Sequence, residues 1–469
     1  MNRKLHLTIR NNKSLQMKQV AHNSFLKRLI FILSLVILSG LSQNSLAQEV
    51  ITIQQAIDKT LTNNLQVKQS KLSESLSDET LQQSKLAIYP SLNANVGQNM
   101  NWGRNQSQSG LFENTQRYSA NGSLSTGVDL FNGLTKINQI KQNKILLEAN
   151  KTNTEKVRND LTLSVITSYL QILYNKDFLK AAQDQLIVAK QQLNQQQQLL
   201  NVGNKTLADL SQSKSQVATA ELNVTNAANA LTISYLTLAQ LMDIPSSTTY
   251  EVQAPVIDSF KTQISTPNAE EIYKNALDVF PDIKLAELNT SASKIGISVA
   301  KGRLYPRLSM NASYGSNYFY SYNAILPNTL FSEQIKNNVG KGIGMSLSIP
   351  IFNGLQARSG VARAKINLLQ TETQEALAKN NLNKVIYQAV ADLKAAEARY
   401  ASTNNAFLAQ KDAYYVIEQR YEVGLVNALE FSTAQTNRNK AEIDVIQAKY
   451  DLLFRAKLID YYLGKQIIF

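Results

Sequence analysis

Two carboxylates occupy matching places in this 469-residue chain: Asp209 lies six residues after Gly203, and Glu430 six residues after Gly424. An acid so placed has two uses. It can complement the positive end of a helix that begins just past the glycine, worth about 0.3 to 1 kcal/mol. Repeated around a symmetry axis, it can form a ring that attracts cations. Other reactive chemistry is thinly supplied. The chain has no Cys, and its 2 His, His6 and His22, stand near the N-terminus, which excludes Cys nucleophiles, disulfides and the usual zinc and haem sites from the rest. The scattered Ser and Asp residues show no catalytic spacing, and there is no G-x-S-x-G, P-loop or metal motif. No catalytic, cofactor or metal site is therefore expected, and the protein reads as something other than an enzyme.

The elements that carry the two acids are long helices. Val165, Ile172, Leu179, Leu186, Leu193 and Leu200 fall seven residues apart, and Ile386, Leu393, Tyr400, Phe407, Tyr414 and Tyr421 repeat the seam in the second half, a heptad pattern. Companion positions are small or polar, among them Asn175, Ala182, Ala189, Ala389 and Ala396, which favours close helix approach. No Pro or Gly interrupts Thr135 to Leu200, so that helix can run about 100 Å at about 1.5 Å per residue. Gly203 and Gly424 suit the left-handed residue that ends a helix. The seams resume beyond them through Leu210 and Phe431, so each glycine is expected at the tip of an antiparallel hairpin. A solid coiled coil, as in an adhesin stalk, fits these residues equally well.

At the other end the period changes from seven to two. From Tyr118 to Leu130, Tyr, Ala, Leu, Val and Leu alternate with Ser, Asn, Ser and Asp. Leu92, Ala94 and Val96 alternate with Asn93 and Asn95; Leu308, Met310, Ala312 and Tyr314 with Ser309, Asn311 and Ser313; Ile343, Met345, Leu347 and Ile349 with Gly344, Ser346 and Ser348. Four strands of about ten residues, each with an apolar and a Ser/Asn/Gly face, fit a membrane barrel with a wet lumen; a soluble half-buried sheet gives the same alternation in any one segment, and four such segments after an export signal in a chain without Cys favour the membrane. Four strands cannot close a barrel, and an open edge in lipid leaves backbone groups unpaired. Copies of the chain must pool their strands: two copies supply eight and three supply twelve, and a ring of three also leaves room for a channel lined by helical hairpins.

The plan occurs twice. Tyr89-Pro90-Ser91-Leu92 recurs as Tyr305-Pro306-Arg307-Leu308 at an offset of 216, and Phe131-Asn132-Gly133 recurs as Phe352-Asn353-Gly354 at an offset of 221. Asn201-Val202-Gly203 recurs as Glu422-Val423-Gly424 at the same 221 spacing. The expected organisation is a signal peptide over 1–47, a first repeat (helix, two strands, long helical hairpin) over 48–242, a connector over 243–268 and a second repeat over 269–469. The signal rests on Lys27-Arg28, the apolar run Leu29 to Leu38 and the small-residue site Ser45-Leu46-Ala47, which puts the mature start at Gln48; translation could begin at Met1 or Met17. The formal charge of +13 owes seven basic residues to that segment, so about half of the excess is targeting information and no nucleic-acid partner is expected. No later apolar run is long enough for a membrane helix.

This set resembles the TolC-like outer-membrane efflux family over nearly the whole mature chain. The resemblance is carried by Thr52-Ile53-Gln54-Gln55-Ala56-Ile57 with Asn63-Asn64, the Tyr-Pro strand entries Tyr89-Pro90 and Tyr305-Pro306, and the Phe-Asn-Gly exits at Phe131, Gly133, Phe352 and Gly354. It is carried most specifically by Arg420-Tyr421-Glu422-Val423-Gly424 followed by Glu430-Phe431. It implies a homotrimer with a shared 12-stranded β-barrel in outer-membrane lipid and an α-helical tunnel through the periplasm. It implies a periplasmic adaptor and an inner-membrane pump as partners, in efflux or type I secretion. It also implies a periplasmic gate at which Tyr421 and Glu430 match family positions, with Asp209 as the duplicated counterpart of Glu430. Thr433 stands where the family has a second acid, and Val426 where some members are basic. Without Cys the mature N-terminus cannot carry the lipid that some members have.

Overall fold

The computed structural model describes residues 49–106, 110, 112–254, 268–322 and 328–465. The expected signal segment, the start at Gln48 and the connector prolines Pro255 and Pro267 lie outside the described residues. Along the chain run β1 (Glu49–Ile51), α1 (Ile53–Asn63), α2 (Leu65–Leu86), β2 (Ser91–Gln106), β3 (Phe112–Phe131), α3 (Thr135–Asn201), α4 (Leu207–Leu241) and β4 (Tyr250–Val252). Then follow α5 (Ala269–Val279), α6 (Pro281–Gly302), β5 (Arg307–Ser321), α7 (Phe331–Asn337), β6 (Gly340–Ser348), α8 (Gln356–Glu422) and α9 (Ala428–Tyr462). β1 and β4 pair with each other; β1 and the first two residues of β4 belong to a small unit distinct from the rest of the chain. No helix among the described residues is long and apolar enough to cross a membrane.

In the larger unit the two copies match element for element. α1 and α5 have 11 residues, α2 and α6 have 22, α3 and α8 have 67, and α4 and α9 have 35. Shorter helices complete the rods that the long ones define. Asn64 caps α2 by accepting from the Gln66 N–H at 2.8 Å and donates through Nδ2 to the Leu241 carbonyl at 2.9 Å, so α4 ends where α2 begins. At the matching place in the second copy Phe280 makes no side-chain cap hydrogen bond and instead packs its ring 5.4 Å from Tyr461 and 5.5 Å from Tyr462, where α9 meets α6. Along α3, Lys136, Gln142, Asn150 and Lys156 bond α2 and α6 or the residues flanking them, whereas Asn175, Asp177 and Lys190 bond α4 and α9. Four rods result: α2 with α4, α3, α6 with α9, and α8.

The cores at the two rod junctions repeat as well. Ala56, Thr60, Val67, Leu161, Val165, Ile172 and Leu238 are buried in one, and Ile272, Ala276, Ile283, Leu382, Ile386, Leu393 and Ile459 in the other. Further along, the small residues Ala182, Ala189 and Ala396 are buried while Leu179, Leu186, Leu193 and Tyr400 are only half-buried. Backbone proximity, more than leucine bulk, thus sets the helix contacts there.

The sheet order is β2-β3-β5-β6, all antiparallel, which leaves β2 and β6 as edges. At 16, 20 and 15 residues, β2, β3 and β5 exceed the expected length of about ten, because backbone pairing continues past the stretch that alternates apolar and polar. The register segregates the two faces. Leu92, Thr126, Ala312 and Ile343 form one cross-strand row, and Asn93, Ser125, Ser313 and Gly342 the next. Ala94, Leu124 and Tyr314 share the first face, and Asn95, Ser123 and Gly315 the second. Beyond Gly315 no strand among the described residues pairs with the outer side of β5, and side-chain amides take that place. Gln334 accepts from the Phe319 N–H and donates to its carbonyl, Asn328 does so at Ser321, and Asn338 donates to the Asn317 carbonyl.

Each outgoing strand enters its helix through two left-handed residues, Gly133 (φ 64°) and Leu134 (φ 62°), then Gly354 (φ 61°) and Leu355 (φ 64°). At the first junction the backbone also runs tight against α6: a Cβ on Gly133 would fall 2.2 Å from the Gly302 carbonyl oxygen. Asp129 fastens the same place, accepting from Arg307 at 2.7 Å and Lys136 at 2.9 Å.

Two expectations follow. Leu124→Asp should reduce heat-stable membrane assembly, by up to about 2 kcal/mol per chain, while Ser123→Asp on the opposite face is tolerated; gel electrophoresis of unboiled membranes reads both. Gly133→Ala should abolish most assembly in the same assay, whereas Gly203→Ala, with open space around its Cβ position, loses only the left-handed backbone preference of about 1 to 2 kcal/mol.

Candidate hairpin-tip site and family membership

Both long helices end in the same hydrogen-bonded turn. Asn204 N–H reaches the Leu199 carbonyl (2.9 Å) and Gly203 N–H the Leu200 carbonyl (3.0 Å); Leu425 reaches Arg420 (2.8 Å) and Gly424 reaches Tyr421 (3.1 Å). Gly203 (φ 81°) and Gly424 (φ 79°) supply the left-handed step, the Schellman arrangement that satisfies otherwise orphaned carbonyls.

Past the turns the copies diverge. Thr206 caps α4, and Asp209 closes a capping box: its carboxylate accepts from the Thr206 N–H (3.1 Å) and hydroxyl (2.8 Å), while its own N–H reaches Thr206 Oγ1. Those bonds, the backbone one foremost, with the Lys205 charge nearby, hold the Asp209 carboxyl below the usual carboxylate range. In α9 the cap is Asn427, whose Oδ1 accepts from the Glu430 N–H at 2.9 Å. The Glu430 residue is exposed, and its carboxylate makes no hydrogen bond or ion pair among the described residues. The duplicated acids therefore differ: one is turned back onto its own helix end, and the other is available.

Tyr421 sits where the two hairpins meet. Its ring stacks on Phe431 (4.5 Å, 8° between planes), its hydroxyl accepts from Gln196 Nε2 in α3 (2.9 Å), and Lys205 Nζ lies 4.7 Å from its centroid. Gln216 of α4 donates to Ser432 of α9 at 2.8 Å. Farther from the tips, Asp177 of α3 accepts from Lys449 (3.2 Å) and Tyr450 (2.9 Å) of α9. No hydrogen bond or ion pair joins Asp209 or Glu430 to Tyr421 among the described residues. Thr433 turns its hydroxyl to the Leu429 carbonyl, and Val426 is buried, so neither substituted position presents a charge.

Sequence spacing locates Tyr421 but not Gln196, Lys205, Gln216 or Ser432. Gln196 is 225 residues from its partner and lies in a glutamine-rich run with no distinguishing pattern. At the opposite ends of the rods, Tyr89-Pro90 and Tyr305-Pro306 fill the turns into β2 and β5, Phe131 ends β3, and Phe352 precedes Gly354 before α8. All four of these aromatic rings are exposed.

Comparison with known proteins agrees with this architecture. A family profile described as outer membrane efflux protein matches residues 56–243 and 272–465. The outer membrane protein TolC of Escherichia coli K12 is 24% identical over 308 residues, which cover 65% of this chain and 61% of that relative's length. The outer membrane efflux protein BepC of Brucella suis biovar 1 is 20% identical over 428 residues, covering 89% and 86%. Among solved structures, CusC superposes with a TM-score of 0.74 at 18% identity, over 91% of this chain and 96% of that one. With its repeated strands and helical hairpins matched in both halves, the chain belongs to the outer membrane efflux protein family.

Proposed function

We propose that this chain is the passive exit duct of a tripartite efflux or type I secretion system. Three copies form a twelve-stranded barrel in outer-membrane lipid, continued by twelve helical rods through the periplasm, and the tips meet a periplasmic adaptor and an inner-membrane pump. One observation carries the reading. A four-stranded ribbon with one apolar face, one polar face and two open edges continues directly into a layer of four rods. In hydrocarbon the edges need partners, and closure by copies places the polar faces around water. The exposed rings of Tyr89, Phe131, Tyr305 and Phe352 at the strand–helix boundary suit the interfacial girdle of such a barrel.

Purified protein in a planar bilayer should give discrete single-channel conductance. A solid coiled-coil stalk gives none, and that outcome would return the chain to a structural or adhesive role.

At the tips, Tyr421 with Gln196 and Lys205 ties the two hairpins of one copy, and Glu430 supplies charge to the opening. Glu430→Ala should lower cation preference and relieve block by multivalent cations from the tip side, read at low salt because 0.1 M screens beyond about 10 Å. Asp209→Ala should instead loosen the start of α4 by about 1 kcal/mol with little change in selectivity. Hydrogen exchange at 206–212 separates the two effects.

A further inference from the structure

The two hairpins of the sheet share one register. Ser91 faces Gly127 in the first, and Arg307 faces Ser348 in the second; offsets of 216 for the incoming strand and 221 for the outgoing strand convert one pair into the other. The extra residues of the second copy therefore lie in the β5–β6 connection. Between the hairpins, β3 pairs with β5 so that Leu124 faces Tyr314, Ser125 faces Ser313 and Gly127 faces Asn311.

We infer that β6 of one copy pairs with β2 of the next in the register obtained by carrying this internal seam through the same two offsets: Ser348 opposite Asn95 of the neighbouring copy, Leu347 opposite Val96, Ile343 opposite Met100 and Lys341 opposite Trp102. This rests on the shared-barrel reading and adds the residue-level contact. Three independent observations support it. The faces stay in phase, since Leu347, Ile343, Val96 and Met100 all belong to the apolar face and Ser348 and Asn95 to the polar one; Ile343 and Val96 are 80% and 91% exposed in the single chain. The glycines fit too. Inside the chain Gly97 lies under Asn121 and Gly344 under Asn311, each with an amide oxygen about where a Cβ contact would be, at 2.9 and 3.1 Å. The seam sets Gly344 and Gly342 opposite Asn99 and Asn101, the same combination. Finally, the amides of Gln334, Asn328 and Asn338 cap β5 only above Gly315, leaving the outer edge of β6 itself, Gly340 to Ser348, open for a strand.

The image breaks at the helical junction. Asp129, Lys136 and Arg307 have Pro350, Ala357 and Ser91 as counterparts, and Gly302 has Leu86. The seam between copies thus lacks the ionic fastening and the close backbone approach of the internal one.

Because the chain has no Cys, disulfide mapping is free of background, and facing residues of antiparallel strands lie within disulfide reach. Full-length Ser348→Cys/Asn95→Cys, oxidised in membranes, should give covalent dimers and trimers on non-reducing gels, at least tenfold more than Ser348→Cys/Asn93→Cys, which reports a slip of two residues. Ile343→Cys/Met100→Cys reads the same register on the other face if the first pair assembles poorly. Preferential bonding through Asn93→Cys, or no bonding from either expected pair in a protein that is trimeric by native mass, would overturn the register while leaving the duct reading intact. A monomeric native mass in the unmodified protein would overturn both.

Discussion

A backbone N–H or C=O in hydrocarbon has no water to turn to, and this one constraint organises the molecule from the strands downward. The chain contributes only four strands to its sheet, with β2 and β6 as open edges. Where β5 outruns β6, amide side chains from the α7 segment take up its backbone groups, so an edge that no strand covers is closed by other means. The remaining edges must be satisfied by pairing, and each strand then fixes where its helix begins. The order of strands, β2-β3-β5-β6, is the order in which the rods α2, α3, α6 and α8 stand beside one another.

That continuity explains the unequal helix lengths. Only α3 and α8 run the whole way as single 67-residue helices. The other two rods are assembled from a 22-residue and a 35-residue helix, and the joins need their own chemistry because helix ends expose unpaired backbone groups. One copy answers this with Asn64, which bonds at both ends at once; in the other the join is held by packing, Phe280 making no side-chain cap bond and lying against Tyr461 and Tyr462. An amide and an aromatic cluster answer the same geometric problem, so duplication preserved the geometry while the residues drifted.

The tips show the same separation between geometry and chemistry. Both turns keep the glycine and its two hydrogen bonds, since the left-handed step is what reverses the chain. The acids six residues on are free to diverge. Asp209 is short enough to fold back onto Thr206 from its own helix turn, and Glu430, with Asn427 as its cap, has its backbone N–H satisfied while its carboxylate stays outward. The contacts holding the two hairpins together involve neither acid but Tyr421, Gln196, Lys205, Gln216 and Ser432.

What the sequence determined by itself is periodic or local. The heptads, the two-residue alternation, the left-handed glycines and the doubled landmarks are set by spacing along one chain, and α3, α8, the strand faces and the tips at Gly203 and Gly424 follow from them. Strand ends were less legible: pairing is a property of two strands, and it continues after the apolar alternation has stopped. Asp209 and Glu430 match in spacing from their glycines, and what separates them is also local, the cap three residues back, Thr206 in one case and Asn427 in the other. The tertiary structure alone decided the contacts between distant residues. The clasp around Tyr421 and the fastening of Asp129 to Arg307 join residues nearly two hundred or more positions apart, and only the packing of one repeat against the other brings such pairs within reach of a hydrogen bond.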